Sequence, residues 1–250
     1  VRQARQILGG GALDLGEVPL PAPGPGDVLV RNHFSFVSVG TEKMKLTQAR
    51  MSLAQKAKQR PDQVRLVLDT LKGQGLGPTL RKIRERLRAP ASLGYSCAGT
   101  VAAVGALVEE FRVGDRVACI GEGVATHAEY NSVPRNLVAH VPAGVGLEAA
   151  SAGAVGAIAL QGIRQARLAL GECVAIVGLG LLGQFLVQLC RANGCRVIGV
   201  DLDPGKCALA LENGAQAACA PAADEEIGRA SCRVRVYISV VGGSLKNWGG

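Results

Sequence analysis

Between residues 172 and 203 the pattern of apolar and polar positions changes period twice. Cys173–Val177 is a continuous apolar run, the pattern of a parallel strand buried on both faces. Gly178, Gly180 and Gly183 follow as G-x-G-x-x-G. Over 181–193 the apolar residues Leu182, Phe185, Leu186 and Leu189 recur at helical spacing. Arg196–Val200 predicts a second strand, closed by Asp201. Beyond it, Asp203–Asn213 predicts a helix ending at Gly214, and 216–219 a third strand. The first half of the chain has a different rhythm. Residues 7–42 predict short β segments joined by turns, with Pro19, Pro21, Pro23 and Pro25 in an extended stretch. Asp27–Phe36 alternates as a two-faced strand. Thr100–Val104, Arg116–Ile120 and Leu137–Val141 predict further strands, with a turn at Gly114-Asp115. Residues 148–168 are Ala-rich and predict helix.

Strand, glycine turn, helix, strand and acid in that order give the dinucleotide-binding pattern a physical reason. The first glycine permits a tight turn, the second lets backbone approach a pyrophosphate, and the third lets the helix pack close to the strand. The helix start offers unpaired N–H groups and a partial positive charge to phosphate. Gly178, Gly180, Leu181, Leu182 and Gly183 are therefore candidate cofactor contacts. Asp201 would accept hydrogen bonds from the adenosine ribose and repel a 2′-phosphate, which favours NAD(H) over NADP(H).

Charge is uneven along the chain. Residues 43–90 carry thirteen Lys and Arg against three acids, an excess larger than the net +8 of the whole chain. Leu66, Val67, Leu71, Leu80, Ile83 and Leu87 recur there at helical spacings, with a break over 73–78. Three readings stand in this order: a solvated helical hairpin, an electrostatic funnel for an anionic substrate, or docking on an anionic membrane surface or nucleic acid. The scarcity of aromatics between the cations argues against single-stranded nucleic acid.

Eight scattered cysteines without C-x-x-C read as reduced core thiols of a cytoplasmic protein. No run is long enough to span a bilayer as a helix. The chain opens on Val1, and we expect its natural start upstream. Residues 225–250 show no strand–helix repeat, and GRASCRVRVYISVVGGSLK resembles translated sequencing-adaptor sequence. The expectation is a foreign tail outside the fold, and the alternative is a genuine short basic β-hairpin.

The stretches VLVRNHFSFVSVGTE, LGYSCAGTVAAVG, FRVGDRVACIG and HAEYNSVPRNLVAHVP, with the nucleotide motif, resemble the medium-chain dehydrogenase/reductase superfamily. The basic segment resembles a zinc-less branch fused to a Gfo/Idh/MocA-type oxidoreductase. The resemblance implies an α/β fold: a GroES-like β-rich catalytic domain over 1–147, with a basic helical insertion at 43–90, then the first half of a Rossmann domain over 148–224. It implies that Lys206 touches the adenosine ribose, though a solvated helix lysine is the equal alternative. Where zinc relatives carry C-G-T-D and G-H-E, this chain has Val39-Gly40-Thr41-Glu42 and Gly94-Tyr95-Ser96. Residues 151–156 offer no third ligand, and the four-cysteine structural lobe is absent. No zinc is predicted, since a catalytic zinc takes three protein ligands. His33, His127 and His140 read as ordinary histidines, none beside an acid at ligand spacing.

Without a Lewis acid, hydrogen-bond donors must stabilise the substrate oxygen. Thr41 occupies the family position that contacts that oxygen, and Tyr95 a former ligand position. Tyr95 either acts as a general acid with Thr41 or fills the space left by zinc. The expected function is zinc-independent, NAD(H)-dependent hydride transfer to or from a carbonyl or alcohol of a small, sugar-derived substrate. The fragment itself is expected to be inactive, and the full-length protein to form a homo-oligomer. The rivals are a quinone or enone reductase and a non-catalytic nucleotide-binding module.

Overall fold

The structure is a computed structural model that describes residues 1–7, 12–51, 90–220, 236–241 and 244–249. The chain divides into two compact units, Val1–Ala152 and Gly153–Gly250. The boundary lies a few residues after the expected 147/148 because the short helix α2 (Leu147–Ala150) packs on strands of the first unit.

The first unit is built from two antiparallel sheets. Strand β1 (Arg2–Ile7) pairs with β2 (Leu13–Glu17) and with β4 (Pro90–Ser92). The second sheet takes β3 (Asp27–Ser35), β5 (Ser96–Val104), β6 (Arg116–Ile120), β7 (Tyr130–Pro134) and β8 (Val138–His140) in the order β7-β3-β5-β6-β8. Its core gathers Val28, Val30, Cys97, Val101, Phe111, Val117, Cys119 and Val133. Each Val or Phe fully removed from water stabilises the unit by about 1.5–3 kcal/mol. Register shifts in β3 opposite β5 fall between Leu29 and Val30, and between Asn32 and Phe34. The first breaks strict alternation, so Val28, Leu29 and Val30 are all buried.

Helix α1 (Val39–Arg50) begins four residues before the expected basic insertion. At the other end Pro90 belongs to a strand, because β1 offers it a pairing edge. The basic helices expected over 52–89 lie outside the described residues.

The second unit is a parallel sheet with one reversed edge strand. Its order is β11-β10-β9-β12-β13, formed by β9 (Cys173–Val177), β10 (Arg196–Val200), β11 (Ala217–Cys219), β12 (Val236–Val241) and β13 (Ser244–Gly249). The helices are α3 (Gly153–Ala166), α4 (Leu181–Ala192) and α5 (Pro204–Glu212). The alanine-rich region expected as one helix divides at residues 151–152 into α2 and α3. In α4 the apolar stripe sits slightly off its predicted line. Leu186, Val187 and Cys190 are buried, while Leu182, Phe185 and Leu189 pack at the edge of the core.

Residues expected to stay outside the fold take part in this sheet. Val236–Ser239 pair in parallel with Val174–Val177, and β13 returns antiparallel to β12. The segment VYISVV is rich in β-branched residues, and the pair β12–β13 is the hairpin that the sequence offered as the alternative. The fold class is α/β, with a GroES-like β-domain and a Rossmann-type sheet.

Candidate functional site

In the second unit the candidate site forms where β9 ends. β10 lies on one side of β9 and β12 on the other, so the chain order reverses there. Open α/β sheets place ligands at the carboxyl ends of strands at such a switch point. The turn from β9 into α4 begins at Gly178, whose φ of +95° lies in the left-handed region. A Cβ on Gly183 would sit 2.0 Å from the Gly178 carbonyl oxygen. Only glycine lets α4 pack that close to the turn. A Cβ on Gly180 would meet nothing within 4 Å. That open space borders the first turn of α4, where Leu181 and Leu182 have N–H groups that no intrahelical carbonyl can satisfy. The residues fit a dinucleotide pyrophosphate.

Asp201 stands at the end of β10 and is held on several sides. Its Oδ2 accepts from the Leu179 N–H at 2.7 Å, and Oδ1 accepts from the Asp203 N–H at 3.0 Å. Lys206 Nζ lies 3.4 Å from Oδ1 and 3.7 Å from Asp203 Oδ2. Burial opposes the charged form of Asp201. The Asp203 and Leu179 amides, then Lys206, outweigh it and hold the carboxyl below the usual carboxylate range. The glycine turn and the acid are thus joined directly.

A residue the sequence reading missed completes this arrangement. Gln184 is buried, and its Nε2 donates to the carbonyls of Leu179 and Lys206, both at 3.0 Å. Its Oε1 accepts from Asn213 Nδ2 at 2.9 Å. The available signal was a lone amide inside an apolar stripe, directly after the third glycine.

In the first unit, Thr41 lies in the first turn of α1, and Ser38 Oγ donates to its Oγ1 at 3.3 Å. Tyr95 follows Gly94 at the entry to β5. Its carbonyl accepts from the Gly121 N–H at 2.9 Å. No hydrogen bond joins Thr41 to Tyr95 among the described residues. Their neighbours meet instead. His127 Nε2 is 2.9 Å from Glu42 Oε1, and His127 Nδ1 is 2.9 Å from Ser35 Oγ. The imidazole is 12% exposed and the carboxylate 14%. His127 also lies against Gly94, where a Cβ would come within 2.8 Å of its backbone nitrogen and Nδ1.

The sequence places no acid at ligand spacing from His127, and the fold supplies one from a distant segment. The acid is 85 positions away in sequence and adjacent in space. His33 pairs with Thr100, and His140 packs on Phe111 with Asp115 3.9 Å away. The three histidines do not gather. Seven cysteines fall among the described residues, and six of them are buried.

Val39 is exposed and has no donor atom. Among the described residues no three of His, Cys, Asp and Glu are grouped to hold a metal. Also among these residues, no helix is long and apolar enough to cross a membrane.

Two family models match the chain in order. Residues 70–147 match the alcohol dehydrogenase GroES-like domain, and residues 182–247 match the zinc-binding dehydrogenase domain. The second match runs through β12 into β13. A quinone oxidoreductase of Pseudomonas aeruginosa is 33% identical over 129 residues, 50% of this chain and 40% of that protein. A D-guloside 3-dehydrogenase of Escherichia coli is 32% identical over 124 residues, 49% of this chain and 35% of that protein. The chain thus spans less than half the length of these relatives. A mycobacterial protein solved in complex with NADPH shares the fold at a TM-score of 0.65 and 25% identity, covering 90% of this chain and 60% of that one. Two domain models in sequence order, oxidoreductase relatives for about half the chain and a shared fold support the medium-chain dehydrogenase/reductase superfamily for this protein.

Proposed function

We propose that this chain is part of a zinc-independent, NAD(H)-dependent oxidoreductase acting on a carbonyl or alcohol of a small, sugar-derived compound. The observation that carries the reading is the glycine turn. Gly180 leaves a space that a side chain would fill, and the carboxylate of Asp201 is tied to the same turn. A bound nicotinamide supplies or accepts the hydride. The chain's part is to hold it and to manage the substrate oxygen. Asp201 binds the ribose hydroxyls and disfavours a 2′-phosphate. The Thr41 hydroxyl, already accepting from Ser38, has its own O–H free to donate to the substrate oxygen. Tyr95 donates beside it and returns the proton. The likeness to a D-guloside dehydrogenase supports the sugar-derived substrate.

A second reading, reduction of quinones or enones, is favoured by the relatives named as quinone oxidoreductases. Calorimetric titration of the 250-residue chain with NADH and NADPH tests the cofactor reading. Binding of NADH in preference to NADPH, lost in Gly180→Ala, supports it, and equal or absent binding removes it. In a turnover-competent full-length protein, consumption of NADH with quinones but not with keto-sugars would establish the second reading.

A further inference from the structure

We propose that the Glu42–His127 pair is a strut that takes over a metal ion's positioning role, fixing the segments that carry Thr41 and Tyr95 against each other. The inference rests on the reading above that these two hydroxyls meet the substrate oxygen. Glu42 is the next residue after Thr41, within the first turn of α1. Restraining its carboxylate restrains that turn. Gly94 is the residue before Tyr95, and its φ of +90° and missing Cβ let the imidazole lie on its backbone. His127 is itself anchored, since its N–H donates to the Leu93 carbonyl at 2.8 Å. The chemistry of the partners assigns the ring: Nε2–H donates to the carboxylate, and Nδ1 accepts from the Ser35 hydroxyl.

The two segments joined are V-G-T-E and G-Y-S, which carry no metal donor at Val39 or at a histidine of their own. A charge-assisted hydrogen bond sheltered from water is short and directional, as a positioning contact must be. Glu42 and His127 act through Thr41 and Tyr95 and are positioning residues.

The test uses 3-fluorotyrosine in the 250-residue chain, which has three tyrosines, with the Tyr95 resonance assigned by Tyr95→Phe. Glu42→Ala and His127→Ala are each expected to shift and broaden the Tyr95 fluorine signal while that of Tyr130 persists. An unmoved Tyr95 signal in both overturns the proposal. Should an alanine variant lose the Tyr130 signal as well, His127→Asn decides by the same criterion. This arm needs no turnover, so it stands or falls apart from the hydride-transfer reading. In a turnover-competent protein, Glu42→Ala should lower kcat by about 10- to 100-fold, the scale of a small misplacement, with the KM for NADH unchanged. Adding Glu42→Ala to Tyr95→Phe should cost nothing more. Losses that multiply would overturn the proposal.

Discussion

In the second unit the candidate site is made of backbone, and in the first it is made of side chains. The glycine turn presents N–H groups, an opening at Gly180 and a helix start, all within one local stretch of sequence. The first unit brings together Ser35, Glu42, Gly94 and His127 from four separated segments. The lesson concerns where information sits. A phosphate cradle needs local conformation, so its glycines announce it. A side-chain cluster needs only that the sheet bring its members together, and nothing in the neighbouring sequence marks them.

The sharpest way to break this comparison is to separate fold from opening in the second unit. Gly183→Val places a side chain 2.0 Å from the Gly178 carbonyl, a clash no rotamer relieves. Overpacking of this kind costs about 1–3 kcal/mol. The melting temperature should fall, and nucleotide binding should be lost with it. Gly180→Ala meets no atom, so it should cost at most about 1 kcal/mol as an N-cap change. Calorimetry should still show at least a roughly tenfold loss of NADH affinity, about 1.4 kcal/mol. If both variants behave alike, the opening at Gly180 is not a binding feature.

Gln184→Ala probes the one side-chain element on which the backbone site depends. It removes the bonds that Gln184 makes to the Leu179 and Lys206 carbonyls and to the Asn213 amide. Buried groups left unsatisfied cost about 1–3 kcal/mol each at most sites, and a lowered denaturation midpoint in urea would report it. Asp201→Asn should weaken NADH binding by roughly tenfold and narrow the preference over NADPH. It should also flatten the acid limb of stability. The folded carboxyl lies below its unfolded value of about 3.9. Between the two values the unfolded chain binds more protons, so stability rises with pH there. The contribution is complete above the unfolded value and is lost as pH falls through the folded one. Thermal melts of both proteins between pH 2 and 6, on the order of this titration range, check the sign. The smallest effect concerns Cys190, whose thiol is pushed up to about 12 by burial and then by Cys195. It should resist iodoacetamide at about pH 8 while folded and react once unfolded, as peptide mapping would show.

The legible part of the fold was local. β9, β10 and β6 fall on their predicted bounds, and α5 lies one residue inside its own at each end, with Asp203 and Asn213 as its caps. The Gly178–Asp201 pattern foretold which turn, helix and acid would adjoin. What escaped depended on partners far along the chain. Pro90 reads as the end of the basic helical stretch until β1 offers an edge, and β12 looks stray until β9 accepts it. His127 resembled any strand histidine because Glu42 is invisible from position 127. Tyr95 and Thr41 were named from family positions, and the structure joins their neighbours rather than the two side chains themselves.

Gln184 has a further consequence for motion. Its amide spans the glycine turn, the start of α5 and, through Asn213, the end of α5. Opening α5 therefore removes support from the Leu179 carbonyl, and loosening the turn removes support from the helix. By reciprocity, whatever free energy a ligand gains from an ordered turn is returned as resistance of α5 to local unfolding. Amide hydrogens of α5, which touch no part of the cradle, should then exchange more slowly with deuterium when NADH is bound.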